Sequence, residues 1–224
     1  ILDYAVNQMM QTDRRTYDEK TGLWKHALDE THKQFWANPH TGQSRHTWAR
    51  ALGWYVMAMT ECLDVMPDDY PRKAEIVALL QKVMKAVVQY QDKKSGVWYD
   101  VLDVEIPKNY LESTASCMFA YVLLKGSRMG WLDTDFNEAG KRAYEGILKR
   151  FIRVNKDRTI TLTDCCSVSG LGPGKGPFVP AGKENYKRDG SFDYYMSEPI
   201  RDNDAKGIGP FIWASLEMER LNAQ

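Results

Sequence analysis

The sequence predicts an all-α chain built as two concentric helical layers, an α/α toroid. Two observations carry that prediction. Helices with one apolar stripe alternate along the chain with helices that are apolar nearly all round. The connections between them contain a twelve-residue pattern that recurs at an offset of 74 residues.

The stripe helices belong outside, because a helix with one apolar face buries only that face. Residues 1–12 open the chain as the first of these. In the second, Asp69 is the expected cap and Pro71 lies near the first turn. Ile76, Leu79, Leu80, Val83, Met84, Val87 and Val88 follow at helical spacing, opposite a face of Lys, Arg, Glu and Gln. Phe136, Ala143, Tyr144, Ile147, Leu148, Phe151 and Ile152 mark the third. Between them lie residues 47–66, 112–126 and 207–221, the last running through Pro210. Without a polar face these must be covered on several sides, so they form the inner layer.

Residues 18–29 (DEKTGLWKHALD) and 92–103 (DKKSGVWYDVLD) both fit D-x-K-[TS]-G-[LV]-W-x-x-x-L-D. Each copy follows an outer helix and precedes an inner one. Lys-Thr-Gly and Lys-Ser-Gly are turn chemistry, and the apolar pieces after them suit short strands. A repeat of this period indicates stacked helical hairpins. Residues 153–204 break the pattern. They are rich in Gly and Pro and lack helical periodicity, as in a functional loop, a lid or a surface insertion. Their GLGPGKGP run lacks the spacing and the Ser/Thr of a phosphate-binding loop.

Composition narrows the function. Thirty Lys and Arg balance thirty Asp and Glu in 224 residues. That argues against a nucleic-acid partner, which selects a basic excess or stripe. No apolar run reaches the roughly 18 residues needed to span a bilayer. Of the four cysteines, Cys62 and Cys117 sit in apolar runs and read as buried small hydrophobes. Cys165 and Cys166 are adjacent, and no CxxC occurs, so neither a redox motif nor a zinc ribbon is indicated. Residue 1 is Ile, already within a helical pattern, and no basic stretch followed by an apolar run is visible there as a signal peptide.

The densest chemistry lies early. His26, His32, His40 and His46 share one segment with Trp24, Trp36, Trp48 and Trp54. No pair of these histidines has the i, i+4 spacing of a zinc helix, so no metal or cofactor is expected. His32 and His40, among turn residues, read as structural. Trp48, Arg50 and Trp54 open an inner helix at one rim of the toroid. An indole face packs on the apolar side of a sugar ring, and a guanidinium fork matches a carboxylate. A helix N-terminus also favours an anion. With His26, this set suits an acidic sugar.

Five segments, TGLWKHALDE (21–30), WANPHTGQSRHTWARALGWYVMAM (36–59), YQDKKSGVWYDVLD (90–103), NYLESTASCMFAYVLLKG (109–126) and SFDYYMSEPIRDNDAKGIGPFIWA (191–214), resemble the unsaturated rhamnogalacturonyl hydrolases of glycoside hydrolase family 105. The resemblance runs over essentially the whole chain and implies an (α/α)6 barrel of six hairpins. It implies action on the 4,5-unsaturated galacturonic acid at the non-reducing end of pectic oligosaccharides. In that chemistry an aspartic acid protonates the double bond, water adds at C5, and the hemiketal opens. The acid must start protonated, which favours a carboxyl in apolar surroundings. The resemblance maps the sugar pocket to His26, Trp48, Arg50 and Trp54, with Tyr194 as a further candidate. It places the catalytic aspartate upstream of residue 1, and Asp29 and Glu30 read as supporting residues.

Three outer–inner pairs are legible where a closed toroid has six, and a full barrel needs on the order of 400 residues. Residues 1–224 are therefore expected to be the C-terminal portion of a single domain, with the other half of the barrel as a partner and apolar surface exposed where that half is absent. Two alternatives stay open: an unsaturated glucuronyl hydrolase, and a non-catalytic carbohydrate-binding relative. The compartment also stays open, between bacterial cytoplasm and periplasm.

Overall fold

The computed structural model describes residues 1–173 and 187–223, and among these described residues there are seven helices. They are α1 (Leu2–Thr16), α2 (Ala49–Val65), α3 (Lys73–Gln89), α4 (Ser113–Arg128), α5 (Asp135–Phe151), the single turn α6 (Phe192–Tyr195) and α7 (Ala205–Asn222). The alternation survives as layers. Helix α4 packs between α2 and α7 as the inner layer, α3 lies against α2 and α1, and α5 covers α4. Every residue of α4 from Ser113 to Gly126 is buried, as a helix without a polar stripe requires.

Specific contacts set the layer spacing. A Cβ on Gly53 would meet the Met118 sulfur at 2.6 Å and the Met118 Cβ at 3.1 Å, so any side chain there would have to displace Met118 where α2 approaches α4. Lys125 of α4 reaches Asp64 of α2 at 2.6 Å, and Arg128 grips Glu217 of α7 through two bonds of 2.6 and 3.1 Å. The Tyr55 hydroxyl donates to the Met9 carbonyl at 2.7 Å and ties α2 to α1. At both ends of the inner arc, apolar side chains face solvent: Trp54 and Val65 on α2, and Ile212, Trp213 and Leu216 on α7.

The repeat is a structural repeat. In each copy the aspartate carboxylate accepts from the Thr or Ser hydroxyl three residues on, at 2.8 Å for Asp18 and 2.5 Å for Asp92. Its carbonyl accepts from the glycine N–H at 2.8 Å in both. Gly22 and Gly96 both sit in the left-handed region, at φ of 72° and 78°. Their surroundings differ. A Cβ at Gly22 meets nothing within 4 Å, whereas one at Gly96 would stand 2.6 Å from the Arg142 carbonyl oxygen. We expect Gly22→Ala to cost about 1 kcal/mol from backbone conformation alone. Gly96→Ala must cost clearly more in the same thermal-denaturation comparison. Equal losses would show that the turn at 96 yields.

The expected strands are short. Tyr17–Asp18 pairs antiparallel with Leu23–Trp24 in the first copy. The second copy instead makes isolated bridges, Trp48 with Val101 and Tyr99 with Leu111. Among the described residues the third connection contains three small ladders, Ile152–Val154 with Ile160–Leu162, Cys165–Cys166 with Ile200–Arg201, and Gly172–Pro173 with Lys187–Arg188. Its GLGPGKGP run lies outside the described residues from Gly174 onward. Two boundaries moved: α1 runs on past residue 12 to Thr16, and α3 starts at Lys73, with Arg72 as its cap residue rather than Asp69. Residues 67–73 form overlapping turns, Tyr70 N–H to the Pro67 carbonyl and Lys73 N–H to the Tyr70 carbonyl. Among the described residues, no helix is long and apolar enough to cross a membrane.

Candidate carbohydrate site at the rim

All three inner helices start at the same rim, so the three outer-to-inner connections meet there. Trp48 is the residue before α2, half-buried and extended. Its indole N–H donates to Asp100 Oδ1 at 3.0 Å, joining the first connection to the second. His26 stands edge-on to the Trp48 ring, with centroids 6.1 Å apart.

His26 also reaches the third connection. Its Nδ1 lies 3.3 Å from the His46 carbonyl and its Nε2 lies 3.2 Å from the Tyr195 hydroxyl. A carbonyl only accepts, so Nδ1 carries the proton and Nε2 accepts from Tyr195. Desolvation by the surrounding loops lowers the His26 pKa to about 4, so the ring is neutral at physiological pH. Close by, Asp103 accepts from Lys25 at 2.6 Å and from the Thr47 N–H at 3.0 Å. Burial pushes this carboxyl upward, but the His46 hydrogen bond, the Lys25 charge and the Thr47 N–H outweigh it and hold it at about 2.

Arg50 is turned inward. Its side chain is 1% exposed. Nε donates to Thr114 Oγ1 at 2.8 Å, the terminal nitrogens reach the Cys166 and Ser167 carbonyls, and Glu112 lies 3.7 Å away. Its guanidinium carbon stays 5.3 Å from the centre of the Trp48 ring. Glu112 caps α4, accepting from the N–H groups of Thr114 at 3.1 Å and Ala115 at 2.7 Å, and from the Cys166 N–H at 2.9 Å. Trp48, Arg50 and Glu112 thereby clamp the three connections together.

The other two candidates are placed differently. Tyr194 is buried; its hydroxyl donates to Glu198 at 2.6 Å and accepts from the Gly170 N–H at 2.8 Å. Its neighbour Tyr195 is the one that meets His26. Trp54 is 44% exposed on α2, and no hydrogen bond or ring contact ties it to the others among the described residues. Asp29 accepts from the N–H groups of Thr31, Lys33 and Gln34, closing its own loop, and Glu30 pairs with Arg15. Among the described residues no group of three His, Cys, Asp or Glu is placed to hold a metal, and all four thiols are free.

Asp100, Glu112 and Tyr195 were not anticipated as site residues. For Asp100 a signal existed. In the repeat alignment it occupies the position of His26, and both residues hold Trp48.

Residues 1–222 match the family profile described as Glycosyl Hydrolase Family 88. The chain belongs to glycosyl hydrolase family 88. This family-88 chain is 37% identical over 222 residues to Protein Atu3128 of Agrobacterium fabrum, covering 97% of this chain and 90% of that one. It is 32% identical over 112 residues to the unsaturated rhamnogalacturonyl hydrolase YesR of Bacillus subtilis, covering 50% of this chain and 30% of that protein. Among solved structures, the family 105 glycoside hydrolase of C. acetobutylicum ATCC 824 superposes with a TM-score of 0.88 at 44% identity. That match covers 96% of this chain and 57% of the solved one, so the chain spans little more than half of that enzyme. The helical double layer is therefore that of the family's six-hairpin toroids.

Proposed function

We propose that this family-88 chain carries the sugar-binding rim of a glycosidase that acts on a terminal 4,5-unsaturated galacturonic acid of rhamnogalacturonan oligosaccharides. The observation that supports it best is the mounting of Trp48: an aromatic face at an inner-helix N-terminus, edged by neutral His26, fixed through its indole nitrogen and backed by the Arg50 guanidinium. An acidic ring packs its apolar side on that face. Arg50 then acts through the positive field behind the ring and through the geometry it imposes on the third connection, not through a free fork. Hydration of the double bond would use an aspartic acid outside these 224 residues. The apolar side chains exposed at both ends of the arc fit further hairpins that close a toroid, and such hairpins are the partner we infer.

The test is binding of unsaturated rhamnogalacturonan disaccharide to the purified chain, followed by tryptophan fluorescence and calorimetry. Unsaturated chondroitin disaccharide and a saturated galacturonide serve as comparisons. We expect preference for the first, and an about tenfold loss in Trp48→Ala. Preference for the chondroitin product would favour a glucuronyl hydrolase instead. Binding that never leads to loss of the double-bond absorbance, even with the full reading frame, would favour a binding-only relative. No binding of any unsaturated uronide would remove the reading.

A further inference from the structure

Repeat-equivalent residues hold Trp48 from two sides, and the second of them is a buried acid. Asp100 is fully buried. Its Oδ1 accepts the Trp48 indole N–H at 3.0 Å, its backbone N–H donates to the Tyr110 carbonyl at 3.0 Å, and its carbonyl accepts from the Ala49 N–H at 2.9 Å. Among the described residues, Asp100 Oδ2 has no hydrogen-bond partner.

The groups that face this carboxyl come from every neighbouring element. Glu112 faces it from the α4 cap, Arg50 from α2, Tyr110 from its own connection, and Cys166, Tyr195 and Glu198 from the third. Arg50 already serves Thr114, two carbonyls and Glu112. An ionised Asp100 would thus be a second buried negative charge beside Glu112, with one oxygen unsolvated. Such an arrangement is costly, and protonation relieves it.

We propose that Asp100 is a positioning residue that works as a neutral carboxylic acid, holding the Trp48 ring in register at the rim. The inference rests on Trp48 being the sugar platform. Burial and the Glu112 charge push the Asp100 pKa up to about 8, outweighing the Trp48 hydrogen bond and the Arg50 charge, which favour the anion. The neutral form then dominates at physiological pH and gives way to the anion above it. The folded pKa lies above the unfolded carboxyl value, so the stabilising effect of proton binding is complete below about pH 4 and is lost as pH rises through about 8. Asn mimics the neutral acid and has no proton to lose.

The experiment follows the indole N–H resonances of ¹⁵N-tryptophan-labelled protein from roughly pH 6 to 10, with far-UV circular dichroism recorded alongside. One resonance, identified by its loss in Trp48→Phe, is expected to move with a midpoint near 8. In Asp100→Asn it stays fixed, and the urea midpoint at high pH exceeds that of the wild type. Binding of the unsaturated disaccharide weakens through the same midpoint in the wild type only, because the new anion behind the ring repels the sugar carboxylate. A Trp48 resonance that does not titrate, or that titrates equally in Asp100→Asn, overturns the inference. A resonance that titrates as expected, in a protein that binds no sugar at any pH, upholds Asp100 as the group positioning Trp48 and overturns the sugar-platform reading.

Discussion

Arg50→Ala should lower the free energy of unfolding by about 3–5 kcal/mol, the range for removing one member of a buried ion pair. The loss has two sources. Glu112 stays buried at the α4 cap without its cation, and the Cys166 and Ser167 carbonyls lose a donor. Arg50→Lys should recover little, because an ammonium cannot spread over Thr114, two carbonyls and a carboxylate as the planar fork does. A double-mutant cycle with Glu112→Gln, read from urea denaturation, separates the pair from the rest. A cost below about 1 kcal/mol would mean that the guanidinium is solvated and free for a ligand. Any loss of sugar binding in Arg50→Ala acquires meaning only beside this measurement.

Trp98→Ala should cost about 3–5 kcal/mol, as large-to-small changes at filled core sites do. Trp98 is completely buried in the second repeat copy, in edge contact with Phe119 of α4 at 5.1 Å, and its indole N–H donates to the Val87 carbonyl at 2.8 Å. It joins α3, α4 and the turn between them. Trp98→Phe should lose less, about 1 kcal/mol for the hydrogen bond and a similar amount for the smaller cavity, because the Val87 carbonyl still accepts from the Tyr90 N–H. Equal losses in both variants would assign the stability to the hydrogen bond rather than to packing. Trp24, the equivalent residue in the first copy, is buried as well, donates to Asp13 at 2.9 Å and lies beneath the Lys82 ammonium.

The helices were legible because their signal is local. The stripe at Ile76, Leu79, Leu80 and Val83 specifies an outer helix by spacing alone, and the absence of a stripe in residues 112–126 specifies an inner one. The start of α3 was misjudged. Asp69 and Pro71 carry the residue types of a helix start, but the chain there closes successive turns and the helix begins at Lys73. The rim site was half legible. Imidazole and indole density pointed to His26 and Trp48, which do meet. Tyr194 and Tyr195 are adjacent on a single helical turn, about 100° apart around its axis. Nothing local says which hydroxyl turns to His26.

Layer order, the duplicated Asp-to-Gly turn and the aromatic rim are thus properties of the sequence by itself, because periodicity and turn chemistry act over a few residues. The direction in which Arg50 points and the protonation state of Asp100 were decided by tertiary structure. Arg50 meets partners at Glu112, Thr114 and Cys166, all more than 60 positions away. Asp100 is an ordinary surface-type residue until three connections close over it. Its proton is then set by the water they exclude and by the Glu112 charge they bring alongside.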